Sequence, residues 1–138
     1  LLEHAGLRPA VEEHVHQVSR RTGLPIHLKI LDVPDAVPLD QATCLFRVMQ
    51  ESVQNVVKHA QATTVTVQLR GSSKGVGLSV IDNGKGFDSQ DLRTHQQGLG
   101  LSSMEERLRQ LHGFFRIQSR PSHGTKVCAW VPCKVEVA

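Results

Sequence analysis

Glu51, Asn55, Lys58 and His59 fall at i, i+4, i+7 and i+8 in a stretch whose apolar residues keep helical spacing. At that spacing the four share one side of a helix. A carboxylate, an amide oxygen and two basic groups on one stripe can polarise a nucleophile, ligate a hard cation and hold phosphate. The stripe borders an apolar face of Leu45, Val48, Met49, Ser52, Val53 and Val56, which is where a helix edges a cleft. The same spacing equally describes a solvated helix edge on which Glu51 supports Asn55. Asp82 is in phase with Val76, Leu78 and Val80, so a strand there turns its carboxylate to the core side. A carboxylate so placed needs donors to offset its burial. A ligand amino group would serve, and so would backbone N–H groups in an Asp-Asn-Gly turn.

Two glycine sites complete the set. Gly98-Leu99-Gly100-Leu101, followed by Ser102-Ser103, closes a polar loop and opens a helix. Glycines there allow close backbone approach, and a helix N-terminus favours an anion. Ser102-x-x-Glu105 and Ser103-x-x-Glu106 also fit a capping box, which would make the segment an ordinary helix start. Gly124-Thr125 stands at a strand start after a turn, a position that hairpin geometry alone explains.

The elements that must position these residues follow from periodicity. Leu7, Val11, Val15 and Val18 mark a first helix, with Pro9 in its first turn and Gly23 as its stop. Ile26, Leu28 and Ile30 alternate as a half-buried strand. Asp40 is the expected N-cap of the second helix, whose pattern fades at Lys58-His59-Ala60. Strands are expected over Thr64–Leu69 and Val76–Asp82, joined by a hairpin loop from Gly71 to Gly75. A Gly-rich polar loop spans 83–100. Met104, Leu108 and Leu111 give a third helix closed by Gly113. Strands Phe114–Ser119 and Thr125–Pro132 flank a turn at Pro121–Gly124. The order α-β-α-β-β-loop-α-β-β predicts an α/β two-layer sandwich, its sheet mixed and largely antiparallel with helices on one face.

Composition narrows the function. The 138 residues are 39% hydrophobic and 21% charged, so one domain can bury an adequate core without a metal or disulfide staple. Aromatics are 4%, with no Tyr and one Trp, Trp130. The core must be aliphatic, and a base-stacking platform is not expected. The net charge is +3 and the basic residues are scattered, with Arg20-Arg21 the longest run. A nucleic-acid partner is therefore not expected. Cys44, Cys128 and Cys133 show no CxxC spacing and read as reduced thiols of a cytoplasmic domain. His14-x-His16 reads as an exposed helix surface. No apolar run approaches the length of a membrane span, and the start at Leu1 without Met reads as a segment of a longer protein.

In their order, the motifs resemble one family. Glu51-x3-Asn55-x2-Lys58-His59-Ala60 on a helix, Asp82-Asn83-Gly84-Lys85-Gly86-Phe87 after a strand, Gly98-Leu99-Gly100-Leu101 before a helix and Gly124-Thr125 at a strand resemble the ATP-binding catalytic domain of bacterial sensor histidine kinases. They are similar to its N box, its two glycine boxes and its final Gly-Thr. The wider group is the ATPase superfamily of gyrase, the Hsp90 chaperone and the MutL repair protein. The run from Gly98 through Met104 to Leu108 looks most like the nitrate-sensor and degradative-enzyme-sensor branch. The likeness covers about residues 24–133.

The resemblance implies a mixed sheet backed by three helices, and nucleotide held between helices and a lid over residues 88–97. Asn55 would ligate Mg2+. Lys58 and His59 would lie near the phosphates or ribose. Asp82 would take the adenine amino hydrogen bond, Gly84 and Gly86 would let backbone pass close to the base, and Thr125 would assist. Gly98, Leu99, Gly100 and Leu101 would offer backbone to phosphate, and Glu51 would orient or deprotonate the acceptor. The expected activity is transfer of the γ-phosphoryl group of Mg-ATP to a histidine on a separate dimerisation domain, with a response regulator downstream. Residues 1–23 would be a linker helix from that dimerisation region and 24–138 the catalytic domain. Nothing here matches the acceptor-histidine box, so this segment should bind ATP without phosphorylating itself and should be mainly monomeric, its parent a homodimer. A serine kinase of the anti-sigma-factor type, or a non-catalytic docking domain of the same fold, is the alternative.

Overall fold

Apolar alternation sets five strands, and helical spacing sets the layer behind them. The computed structural model describes residues 2–88 and 102–133. A short α1 (Leu2–Ala5) leads into α2 (Leu7–Thr22), followed by β1 (Ile26–Leu31) and α3 (Leu39–Asn55). A π-helical turn, Val56–Ala60, extends α3 without a break. Then come β2 (Val65–Gly71), β3 (Gly75–Asp82), α4 (Ser102–Gln110), β4 (Phe114–Ser119) and β5 (Thr125–Pro132).

The sheet order is β1-β2-β3-β5-β4. β1 and β2 are parallel, as the α3 crossover between them requires, and the other three pairings are antiparallel. This is the expected mixed, largely antiparallel sheet. Val65, Val67 and Leu69 of β2, Val76, Leu78 and Val80 of β3, and Val127, Ala129 and Val131 of β5 point to one face and are buried. Leu45, Val48, Met49 and Val53 of α3 close over them with no exposed surface. Each such side chain contributes about 1.5–3 kcal/mol by leaving water. Leu7, Val11, Val15 and Val18 of α2 and Leu108 of α4 belong to the same core.

Helix ends show where local signals misled. The helix α3 begins at Leu39 with Pro38 at the capping position, and Asp40 lies in its first turn instead of capping it. The Pro38 carbonyl already accepts the Ala42 N–H at 2.9 Å, so the helix starts earlier. Asp40 then serves the helix dipole. Gly23 ends α2 as expected, left-handed at φ 75° with its N–H on the Ser19 carbonyl at 2.9 Å. Gly113 does not supply the left-handed residue after α4; His112 does, at φ 64°. Glycine is needed at 113 because a Cβ there would overlap the Trp130 carbonyl.

His14 corrects the expectation of an exposed histidine pair. Its ring is half-buried and meets Phe46 of α3 edge-on, centroids 5.8 Å apart. His16 is exposed. Among the described residues no cluster of His, Cys, Asp and Glu could hold a metal. Nor is any described helix long and apolar enough to cross a membrane.

Candidate functional site

Asp82 ends β3, one residue before the polar loop, on the face its phase dictates, and is 7% exposed. Its Oδ1 accepts the Gly84 N–H at 2.8 Å, an Asx-type contact. The inward carboxylate and the turn, two readings open at the sequence level, therefore hold together. Burial pushes the Asp82 carboxyl above its ordinary range, while backbone N–H groups of Gly84 and Thr125 pull it back. A carboxylate offers about four acceptor positions, so two backbone donors leave capacity for another donor.

The loop after Asp82 is clamped on both sides. Toward α3, the Lys85 N–H reaches the Ala60 carbonyl at 2.8 Å, and a Cβ at Gly84 would overlap that same carbonyl. Toward the β4–β5 turn, the Ser122 N–H reaches the Lys85 carbonyl at 2.6 Å. Gly86, at φ 60°, passes so close to the Arg120 carbonyl that no side chain fits. Gly124, at φ 77°, lies equally close to the Asp82 carbonyl. Gly84, Gly86 and Gly124, all three expected from their motifs, are thus required by protein backbone, quite apart from any ligand.

The polar contacts of two residues, Asn83 and Ser119, escaped sequence reasoning. Asn83 Oδ1 accepts the Thr63 and Thr64 N–H groups at 2.9 and 3.0 Å, tying the loop to the start of β2. Ser119 Oγ accepts the Phe87 N–H at 3.0 Å and donates to the Gly124 carbonyl at 3.1 Å. It also lies 2.8 Å from Thr125 Oγ1. A signal for Ser119 existed: it continues the inward phase of Phe115 and Ile117 as Asp82 continues that of Val80.

Glu51 and Asn55 are half-buried on the last turns of α3. Lys58 and His59 are exposed on the π turn. That turn corrects one expectation, because i→i+5 winding changes the angular spacing. Lys58 and His59 therefore leave the line that 3.6-residue spacing draws through Glu51 and Asn55. A π turn that ends by touching the Gly84 loop joins the helix to the strand-end carboxylate. Gly98, Leu99, Gly100 and Leu101 lie outside the described residues, as does the expected lid beyond Asp88.

Residues 40–135 match the histidine kinase-, DNA gyrase B-, and HSP90-like ATPase family. The chain belongs to that family. Within it, the ATPase domain is 31% identical over 135 residues to the signal transduction histidine-protein kinase/phosphatase DegS of Brevibacillus brevis, covering 98% of this chain and 34% of DegS. It is 35% identical over 126 residues to the nitrate/nitrite sensor protein NarX of Escherichia coli, covering 91% of this chain and 21% of NarX. Both are sensors of the branch to which the Gly98–Leu108 run pointed. The chain spans about a third or less of the length of these relatives. The histidine kinase domain of the Erythrobacter litoralis blue-light activated kinase shares the fold, with a TM-score of 0.69 at 20% identity over 88% of this chain and 62% of that one.

ATP suits the ATPase domain's residues. A nine-tenths-buried carboxylate with spare acceptor capacity, at the mouth of an aliphatic core, fits the amino group of a purine. An amide oxygen at Asn55 has the hard donor chemistry that Mg2+ takes alongside phosphate oxygens.

Proposed function

We propose that this domain binds Mg-ATP and donates the γ-phosphoryl group to a histidine on a separate dimerisation domain of the same protein, as the catalytic part of a two-component sensor histidine kinase. The observation that carries the reading is Asp82, an inward carboxylate that accepts the Gly84 N–H beside a loop clamped on both sides. It takes the adenine amino group, and Thr125 and the Gly84–Gly86 backbone border the base. Asn55 holds Mg2+, which when bound neutralises phosphate charge. Lys58 and His59 stand toward the phosphates or ribose, and Gly98, Leu99, Gly100 and Leu101 offer backbone to them. Glu51 orients or deprotonates the acceptor imidazole, so the residues supply position and electrostatics while the transferred group changes partner.

The helix α2 enters from an upstream dimerisation region, its Leu7–Val18 stripe docked on the catalytic core. The acceptor histidine lies in that region, and a response regulator takes the phosphoryl group onward. The domain itself is cytoplasmic.

Calorimetric titration with a non-hydrolysable ATP analogue tests the reading, first with Mg2+ and then with chelator. One-to-one binding that Asp82→Asn weakens some ten- to a hundredfold is the expected result. Equal binding by parent and variant would sink the adenine assignment.

A further inference from the structure

Among the described residues the helices cover one face of the sheet, and the charged side chains of the other face have one sign. Its outward side chains come from alternate positions of five strands. Lys29 of β1, Arg70 of β2, Arg116 of β4 and Lys126 of β5 all stand there exposed. Asp82 is the sole acidic residue in any of the five strands, and it points the other way. Among the described residues none of the four cations has a carboxylate within ion-pair distance. Scattered in sequence, they are gathered by register: Arg70 opposes Gly77 on β3, and Arg116 opposes Cys128 on β5.

One end of this face is also apolar. Trp130 opposes Gly77 across β3 and Phe114 across β4. A Cβ at Gly75 would overlap the indole, so the ring lies flat against the glycine strand. Phe114 stacks on it at 5.8 Å and 16°, and is 56% exposed. Leu31, directly across from Arg70, is 42% exposed. Aromatic anchors beside arginines, with hydrogen-bonding groups around them, are the composition of a protein–protein contact.

We propose that this open sheet face docks an acidic protein segment, one that seats an apolar side chain on the Phe114–Trp130 pair while its carboxylates meet Arg70, Arg116, Lys29 and Lys126. A second copy of the same face is excluded as the partner, since four cations would oppose four. A bilayer fits worse, because five strands twist by about 80–100° from edge to edge and a plane cannot meet all four charges. A nucleic-acid backbone fits worse too, because the cations come one to a strand with neutral residues between them and make no continuous track. The proposal rests on the open face alone and is independent of the nucleotide reading.

The test is a titration of the isotope-labelled chain with a synthetic acidic peptide, Glu-Glu-Phe-Glu-Glu-Leu-Glu-Glu, followed by amide shifts. The expected result is shifts confined to β1, β2, β4 and β5 around Leu31, Arg70, Phe114, Arg116 and Trp130. Affinity should fall roughly tenfold in the Arg70→Glu, Arg116→Glu double variant and fall again with added salt. Binding of the ATP analogue should be unchanged in that variant, which separates this surface from the nucleotide site. Any of four results overturns it: no shifts at millimolar peptide, shifts on the helices or the Asp82 loop, equal affinity for a peptide with Gln in place of Glu, or tighter binding to phosphatidylglycerol vesicles or an oligonucleotide.

Discussion

Ser119 Oγ, at the end of β4, lies 2.8 Å from Thr125 Oγ1, at the start of β5, and the same Ser119 oxygen accepts the Phe87 N–H. One hydroxyl thus joins the β4–β5 turn to Phe87, in the loop that follows Asp82. Ser119→Ala should cost about 1 kcal/mol of stability and loosen the Phe87 end of the loop. Urea denaturation and a titration with the ATP analogue check both. Unchanged nucleotide affinity would make Ser119 a purely structural residue.

Asp82 trades stability for binding. Burial raises its carboxyl above the ordinary 3.8, so the folded chain holds a proton that the unfolded chain has released. Its contribution to stability is therefore present in acid and lost as pH climbs from 3.8 through the raised value. Asp82→Asn should be at least as stable as the parent at neutral pH. It should nonetheless bind nucleotide some ten to a hundred times more weakly, from losing a hydrogen bond to a charged group worth about 1.5–3 kcal/mol. A variant that unfolds at neutral pH would show the carboxylate to be a structural anchor.

Gly84→Ala forces a Cβ into the Ala60 carbonyl. Overpacking against backbone should cost about 1–3 kcal/mol and push the loop from the π turn. Thermal unfolding and analogue binding should fall together. A variant with full affinity would show that the Lys85–Ala60 contact is dispensable.

His14 faces Phe46, and burial together with Arg21 lowers its basicity from 6.5. The unfolded chain therefore binds a proton that the folded chain resists. Stability should fall as pH drops below 6.5 through the lowered value, and rise again as pH is restored. Unfolding midpoints at several pH values, for the parent and for His14→Leu, check this. The variant should show the weaker acid dependence.

Glu51→Gln, made in the full-length protein, should leave nucleotide affinity intact and slow histidine phosphorylation by about 10²–10⁴-fold. Quenched-flow measurement of phosphohistidine separates the two readouts. Loss of nucleotide binding instead would move Glu51 from the acceptor side to the nucleotide side.

By itself the sequence determined what repeats locally. The α2 and α3 stripes, the inward phase of Asp82, the Gly23 stop and the order of elements all follow from spacing along one chain, because helices and strands bury a face at fixed periods. The family motifs were equally legible, since their residue types sit at fixed places on those elements. Local spacing could not foresee the π turn, which breaks the 3.6-residue line beyond Asn55, or the left-handed His112 in place of Gly113. Tertiary structure alone decided what meets across strands. The Ser119 hydroxyl at Phe87, the glycines that make room for the Arg120 and Asp82 carbonyls, and four scattered cations on one open face depend on register and sheet order. Register is set by packing the whole inner face at once, so no window of sequence contains it.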